Sequence, residues 1–204
     1  MILSKKLSEA FNAQVNAEMW SSNLYLSMSV HFQKLGLNGF AHWMKKQAEE
    51  EMEHAHKMID FTIDRGGDIT IGQINVVPTA WGSVTELFEH VYKHECYVSE
   101  LIDKMVDIAE EDKDHASRDF LFGFVREQVE EESTAKEIVE QLKNYGECHV
   151  GILDHSINKK LHKEPPFLLK IQSDNCLIHL IVNCQLPQVS LSPTALPKQK
   201  PLSG

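Results

Sequence analysis

Apolar residues recur along this chain at spacings of three, four and seven, the period of helices that each bury one face. Four long segments carry the pattern. In the first, about 4–34, Phe11, Glu18, Tyr25 and Phe32 stand seven apart, and Ser4 is placed to cap the start. The second, about 40–65, has two such rows: Met44, Glu51 and Met58, and beside them Phe40, Gln47, His54 and Phe61. The third, about 84–110, aligns Phe88, Glu95, Ile102 and Ala109 behind a capping-box signature, Ser83 with Glu86. The fourth, about 115–144, aligns Phe124, Glu131 and Ile138, with Leu121, Gln128, Ala135 and Leu142 in the adjacent row. Glycines at 36, 39, 66, 67 and 146 mark the ends. The stretch from Asp68 to Trp81 is irregular and β-rich, and Pro78 lies inside it. Val150, Leu153, Ile157 and Leu161 have helical spacing, so a short fifth helix over about 149–161 is open. The fold class read from this is all-α, an antiparallel four-helix bundle.

Each of the four stripes is broken in its middle by a polar residue that can bind a metal: Glu18, Glu51 with His54, Glu95, and Gln128 with Glu131. A buried carboxylate or imidazole is costly unless paired or bound to an ion. The breaks also fall level with one another. Residues equidistant from a tight helical turn lie side by side, and the midpoint of 18 and 51 falls near Leu35, that of 95 and 131 at Lys113. Both midpoints lie at turns. The two hairpins are joined by the segment from Gly66 to Gly82, which is long for a compact domain. Extended at about 3.3 Å per residue it spans ~55 Å, enough to cross helices of ~40 Å. Its length favours a crossover that starts the third helix at the far end, parallel to the second, over a short-loop bundle.

A Glu from each of two helices with a carboxylate-x-x-His motif from the others is the ligand pattern of carboxylate-bridged di-iron bundles. Glu51-x-x-His54 supplies one motif, and Gln128-x-x-Glu131 is its weaker echo. Glu51 is placed to bridge two ions, with Glu18 and His54 completing one position and Glu95 and Glu131 the other. The poorer second position suits ions that bind, react and leave. Ferrous iron fits, since two adjacent Fe(II) ions each give an electron to dioxygen. Tyr25 reads either as a partner of a ligand, able to supply an electron, or as a core tyrosine. Glu50, Glu127 and Glu130 flank the ligand positions and read either as an outer iron site or exit path, or as a solvated acidic face. Met52 reads as packing and not as a haem ligand. His56, His90 and His94 read as surface residues, and Cys96 as packing.

Charge and cysteine usage narrow the class. The 204 residues carry a formal net charge of -10, which suits an acidic, cation-attracting surface and argues against nucleic acid as a partner. The four cysteines form no CxxC pair, so neither a disulfide framework nor a zinc site is expected. A cytoplasmic location is the expectation. The N-terminal residues lack the apolar core of a secretion signal. No run is long and apolar enough to span a membrane, so no membrane partner is expected.

With these residues placed, the sequence resembles bacterial non-haem ferritin from Met1 to about Gly146, more weakly to about Leu161. The segments that carry the resemblance are Asn16-Ala17-Glu18-Met19-Trp20-Ser21-Ser22, Glu50-Glu51-Met52-Glu53-His54, Tyr92-Lys93-His94-Glu95 and Glu127-Gln128-Val129-Glu130-Glu131-Glu132. Gln128 separates the last of these from bacterioferritin, which has Glu-x-x-His there and binds haem between subunits; no haem is expected here. The resemblance implies a ferritin-like bundle over 1–162. It also implies Glu18, Glu51 and His54 at a first ferroxidase iron, and Glu51, Glu95 and Glu131 at a second, with Gln128 beside it. Glu50, Glu127 and Glu130, with Glu131, would hold a third iron, and Tyr25 would be a redox tyrosine. It further implies self-assembly into a hollow shell of twenty-four subunits that oxidises Fe(II) with dioxygen or peroxide and stores a ferric oxyhydroxide mineral. A rubrerythrin-like peroxidase is disfavoured by the lack of a CxxC site. A DNA-protecting mini-ferritin is disfavoured because the full ligand set lies in one bundle. The family ends in a short helix around a four-fold axis. From Lys163 this chain departs from that pattern into a proline-rich segment with an apolar run, read as an irregular or disordered tail over 163–204.

Overall fold

Ser4 and Ser83 begin helices as their positions predict. Ser4 Oγ accepts from the Leu7 amide at 3.1 Å, and Ser83 forms a complete capping box with Glu86. In the computed structural model, which describes residues 2–146 and 149–161, these caps open two of five helices. They are α1 (Lys5–Lys34), α2 (Asn38–Asp64), α3 (Val84–Glu111), α4 (His115–Tyr145) and α5 (Val150–Leu161). Asp114 caps α4 by accepting from the Ser117 amide. Helix α2 starts two residues earlier than the spacing predicts, and α5 occupies the stretch left open as a fifth helix. The segment 66–83 holds no strand despite its β-branched content. The expected irregular tail, 163–204, lies outside the described residues.

The pairings fix the topology. Hydrogen bonds from Ser22 to Ala48 and from Ser29 to Ala41 set α1 antiparallel to α2. Contacts of Lys6 with Glu111, Ser21 with His94 and Phe32 with Phe88 set α1 antiparallel to α3. Those of Arg65 with Asp114, Phe61 with Phe120 and Gln47 with Glu131 set α2 antiparallel to α4. Helix α3 is therefore parallel to α2, the crossover form that the loop length favours. The connecting segment runs along the outside of α1. Asn12 and Asn16 hold its early backbone at Thr70 and Gly72, with bonds of 2.7 and 2.8 Å. Further along, Ser27 Oγ donates to the Pro78 carbonyl. These side chains satisfy backbone groups that a structureless loop would leave to water.

Aromatic clusters close the bundle at both ends. Phe32, Phe40, Trp43 and Phe88 pack at one end, with ring centroids 5.1–5.9 Å apart. At the other end Phe11, Phe61, Phe120 and Phe124 pack, and Phe61 stacks on Phe120 at 4.0 Å. The polar breaks in the stripes fall between these clusters and form one buried layer.

Helix α5 docks on the start of α2. Leu37, the N-cap of α2, offers no side-chain cap; instead Asp154 Oδ1 accepts from the Phe40 amide at 2.8 Å. The approach is so close that a Cβ on Gly39 would lie 1.9 Å from the Asp154 carbonyl oxygen. Gly39 is required there for space.

Candidate metal centre

Helical spacing brings the predicted residues to the central layer. Glu18 of α1, Glu51 and His54 of α2, and Glu95 of α3 are all buried, as is Gln128 of α4. Glu131 is half-buried at its margin. Ligand atoms of Glu18, Glu51 and His54 lie within 4.8 Å of one another, and so do those of Glu51, His94 and Glu95. Glu51 is common to both groups, the position expected of a bridging carboxylate. The expected trio of Glu51, Glu95 and Glu131 does not close as tightly. Glu131 Oε2 accepts from Gln47 Nε2 at 2.9 Å, while Gln128 Nε2 donates to Glu95 Oε2 at 3.2 Å. Tyr25 is fully buried and its hydroxyl donates to Glu95.

Of the flanking acids, Glu127 approaches His54 Nε2 at 3.3 Å and Lys57 at 3.8 Å. Glu50 is half-buried near both His54 and Glu127, and Glu130 is exposed. Met52 is half-buried, and Cys96 likewise. His56 and His90 are exposed, as expected of surface residues. His94 is not. It is buried, with Nε2 2.9 Å from Ser21 Oγ, which corrects the surface reading. The missed signal is its own stripe: Leu87, His94 and Leu101 stand seven apart.

The electrostatics show what the layer lacks. Burial, and then the charge of Glu51, push the Glu18 carboxyl well above its usual range. Burial does the same to Glu51, with Glu95 and Glu131 adding repulsion. Glu95 is raised to about 7 by burial despite the bonds from Tyr25 and Gln128. Glu131 is raised to about 8 by burial and the Glu95 charge. Burial also raises the Tyr25 phenol well above 10, so it stays a donor. Burial lowers the His54 imidazole, but contact with Glu127 and the nearby Glu18 outweigh it and the net shift is upward. His94 is lowered to about 4 by burial and is a neutral imidazole. Four carboxylates thus face one another with His54 as their only nearby cationic candidate among the buried groups. Glu18 Oε2 is buried without a hydrogen-bond partner, and the polar neighbour of His54 Nε2 is the Glu127 carboxylate at 3.3 Å. The donors are hard oxygens with imidazole nitrogen, a set for divalent transition ions.

Comparison with known proteins identifies the family. The family model described as "Ferritin-like domain" matches residues 8–145. The bacterial non-heme ferritin of Bacteroides fragilis is 54% identical over 159 residues, covering 78% of this chain and all of the relative. The chain belongs to the ferritin family. The bacterial non-heme ferritin of Campylobacter jejuni is 32% identical over 74% of this ferritin and 90% of its own length. Among solved structures, the open pore ferritin of the archaeon Archaeoglobus fulgidus superposes with a TM-score of 0.75 at 44% identity, covering 76% of this chain and 96% of that one.

The site in this ferritin also depends on amides that sequence reasoning passed over. Gln14 Nε2 donates to Glu18 Oε1 at 2.8 Å, and Gln47 holds Glu131 as described. Gln14 lies in the fully buried row Leu7, Gln14, Ser21 and Met28, and Gln47 in the row with His54. A glutamine one turn from a buried glutamate is the available signal. Such partners orient first ligands and fix which oxygen remains free.

Proposed function

We propose that this ferritin, through a domain spanning 1–162, oxidises Fe(II) at a two-ion site within one subunit and keeps the product as a ferric oxyhydroxide mineral inside a protein shell. The family and the buried Glu/His group together support iron storage with ferroxidase activity. The observation that carries the reading is the buried group of Glu18, Glu51 and His54, whose ligand atoms lie within 4.8 Å of one another, with Glu95 buried in the same layer. Bound cations would offset the mutual repulsion of these carboxylates when they ionise.

Fe(II) is the substrate here. One ion is held by Glu18, Glu51 and His54, the other by Glu51, Glu95 and Glu131 with Gln128 beside it. Carboxylates place the ions at bridging distance and offset their charge. Each Fe(II) gives one electron. Dioxygen takes the two electrons with two protons to give hydrogen peroxide; hydrogen peroxide as oxidant takes two electrons and two protons to give two waters. Tyr25 holds Glu95 through its phenol, which burial keeps protonated. Glu50, Glu127 and Glu130 form an outer iron station, with Glu127 in contact with the His54 imidazole. A shell of twenty-four subunits encloses the mineral, in the cytoplasm.

Glu51→Ala tests the site. The expected result is Fe(II) oxidation under air falling to the rate of Fe(II) in buffer, with the far-UV helix signal retained. Oxidation at the parent rate would sink the assignment. Size-exclusion chromatography with iron detection after aerobic Fe(II) loading tests storage: iron and protein should elute together in an assembly far larger than one 23.3 kDa chain.

A further inference from the structure

The buried His94 has no part in the two-ion site as proposed. It reaches the central layer from α3, on the side facing α1. Its ring nitrogen and the carboxylate oxygens of Glu51 and Glu95 lie within 4.8 Å of one another, all three residues buried. The ring is held on three sides. Ser21 Oγ is 2.9 Å from Nε2, and a serine hydroxyl serves either imidazole tautomer because it both donates and accepts. The Trp20 ring lies 5.7 Å away, and the Tyr25 ring meets it edge-on at 6.0 Å. A buried imidazole fixed in orientation by a hydroxyl, with two carboxylates in reach, has the arrangement of a metal-binding histidine and its outer partner.

We propose that Glu51, His94 and Glu95 form a further divalent-cation position on the α1–α3 side of the central layer. One imidazole and two carboxylates select a borderline transition ion such as Zn²⁺, Co²⁺ or Fe²⁺ over the hard ions Mg²⁺ and Ca²⁺, which favour all-oxygen shells. An ion seated there takes Glu51 and Glu95 away from the second iron of the pair. Occupancy of the two is therefore mutually exclusive, and a non-redox ion at His94 blocks Fe(II) oxidation. That consequence rests on the ferroxidase reading; the ion position itself rests on the His94 geometry alone.

The test uses Zn²⁺ as the probe on the full chain. In zinc-soaked crystals, anomalous scattering should place an ion about 2.0–2.1 Å from a His94 ring nitrogen. Zinc found only beside Glu18 and His54 would overturn the proposal. In solution, calorimetry should show His94→Gln binding one Zn²⁺ per subunit more weakly than the parent, and the variant should need more Zn²⁺ to inhibit Fe(II) oxidation. Unchanged stoichiometry and affinity would overturn it. Should His94→Gln fail to fold, Ser21→Ala decides. It leaves the ligands in place but frees the ring, and should weaken this one site about 10–100-fold; unaltered affinity there overturns the proposal as well. The two readings fail separately. Glu51→Ala oxidising Fe(II) at the parent rate would remove the ferroxidase site, while zinc on His94 in the parent would still stand.

Discussion

At the scale of single residues, this ferritin is governed by carboxylates that resist ionising together. The sign of the effect on stability follows from their shifts. A carboxyl has an ordinary pKa of about 4.3 when exposed in the unfolded chain. Glu95 and Glu131 are raised to about 7 and about 8 in the fold, so the folded state holds their protons longer. Their contribution is most favourable below pH ~4.3 and is lost as pH rises towards 8. Metal-free protein should therefore lose melting temperature between pH 5 and pH 8. Glu131→Gln, which keeps an oxygen for Gln47 to donate to, should lose visibly less. Equal slopes for parent and variant in thermal melts with chelator present would contradict the cause assigned. Sequence reached these residues because a glutamate in an apolar stripe breaks a pattern: Glu18, Glu51, His54 and Glu95 were legible in that way. His94 was not, because it precedes Glu95's row by one residue, about 100° around the helix, and shares its stripe with Leu87 and Leu101. Gln14 and Gln47 were equally silent, since a neutral amide signals nothing until its partner's position is known.

At the scale of elements, local chemistry predicted the starts of helices where the cap is local, and failed where it is tertiary. Ser83 with Glu86 is written in four consecutive residues, and the structure forms both reciprocal bonds. Ser83→Ala should cost about 1 kcal/mol in denaturant unfolding. The start of α2 is different. Its cap comes from Asp154, 114 residues along the chain from Phe40, and no local signature announces it. A carboxylate there also meets the positive end of the helix. Asp154→Ala should destabilise by roughly 1 kcal/mol. Gly39→Ala should do more, since its methyl group occupies the space of the Asp154 carbonyl and must push α5 away. Faster proteolysis within 149–161 for Gly39→Ala than for the parent would report that displacement; identical cleavage would mean α5 docks by other contacts. The crossover was legible from length alone, yet what fixes its path, Asn12 and Asn16 of α1 binding loop backbone, was visible only in three dimensions.

For the whole molecule, the decisive feature is the placing of one polar layer between two aromatic clusters. The Phe32–Phe40–Trp43–Phe88 end and the Phe11–Phe61–Phe120–Phe124 end supply apolar burial on either side. Between them the four helices meet through acids that repel one another. Cations that bind only the folded layer must then act as ligands of folding, stabilising by RT ln(1 + [L]/Kd). At a free ion concentration about 100-fold above Kd this is about 2.7 kcal/mol per site. For a domain of this size each kcal/mol is worth roughly 2–4 °C, so one filled site should raise the melting temperature by roughly 5–11 °C. Zn²⁺ added to chelator-stripped protein measures this without oxidation chemistry. The comparison that gives it force is Glu51→Gln, which removes one repelling charge and one shared ligand at a stroke. Its metal-free form should melt above the metal-free parent, because burial opposes the charge of Glu51 and Glu95 and Glu131 repel it. Its gain from Zn²⁺ should be smaller than the parent's. A variant that melts lower without metal and gains as much with it would show that the layer is held by packing from its neighbours, with the carboxylates as passengers.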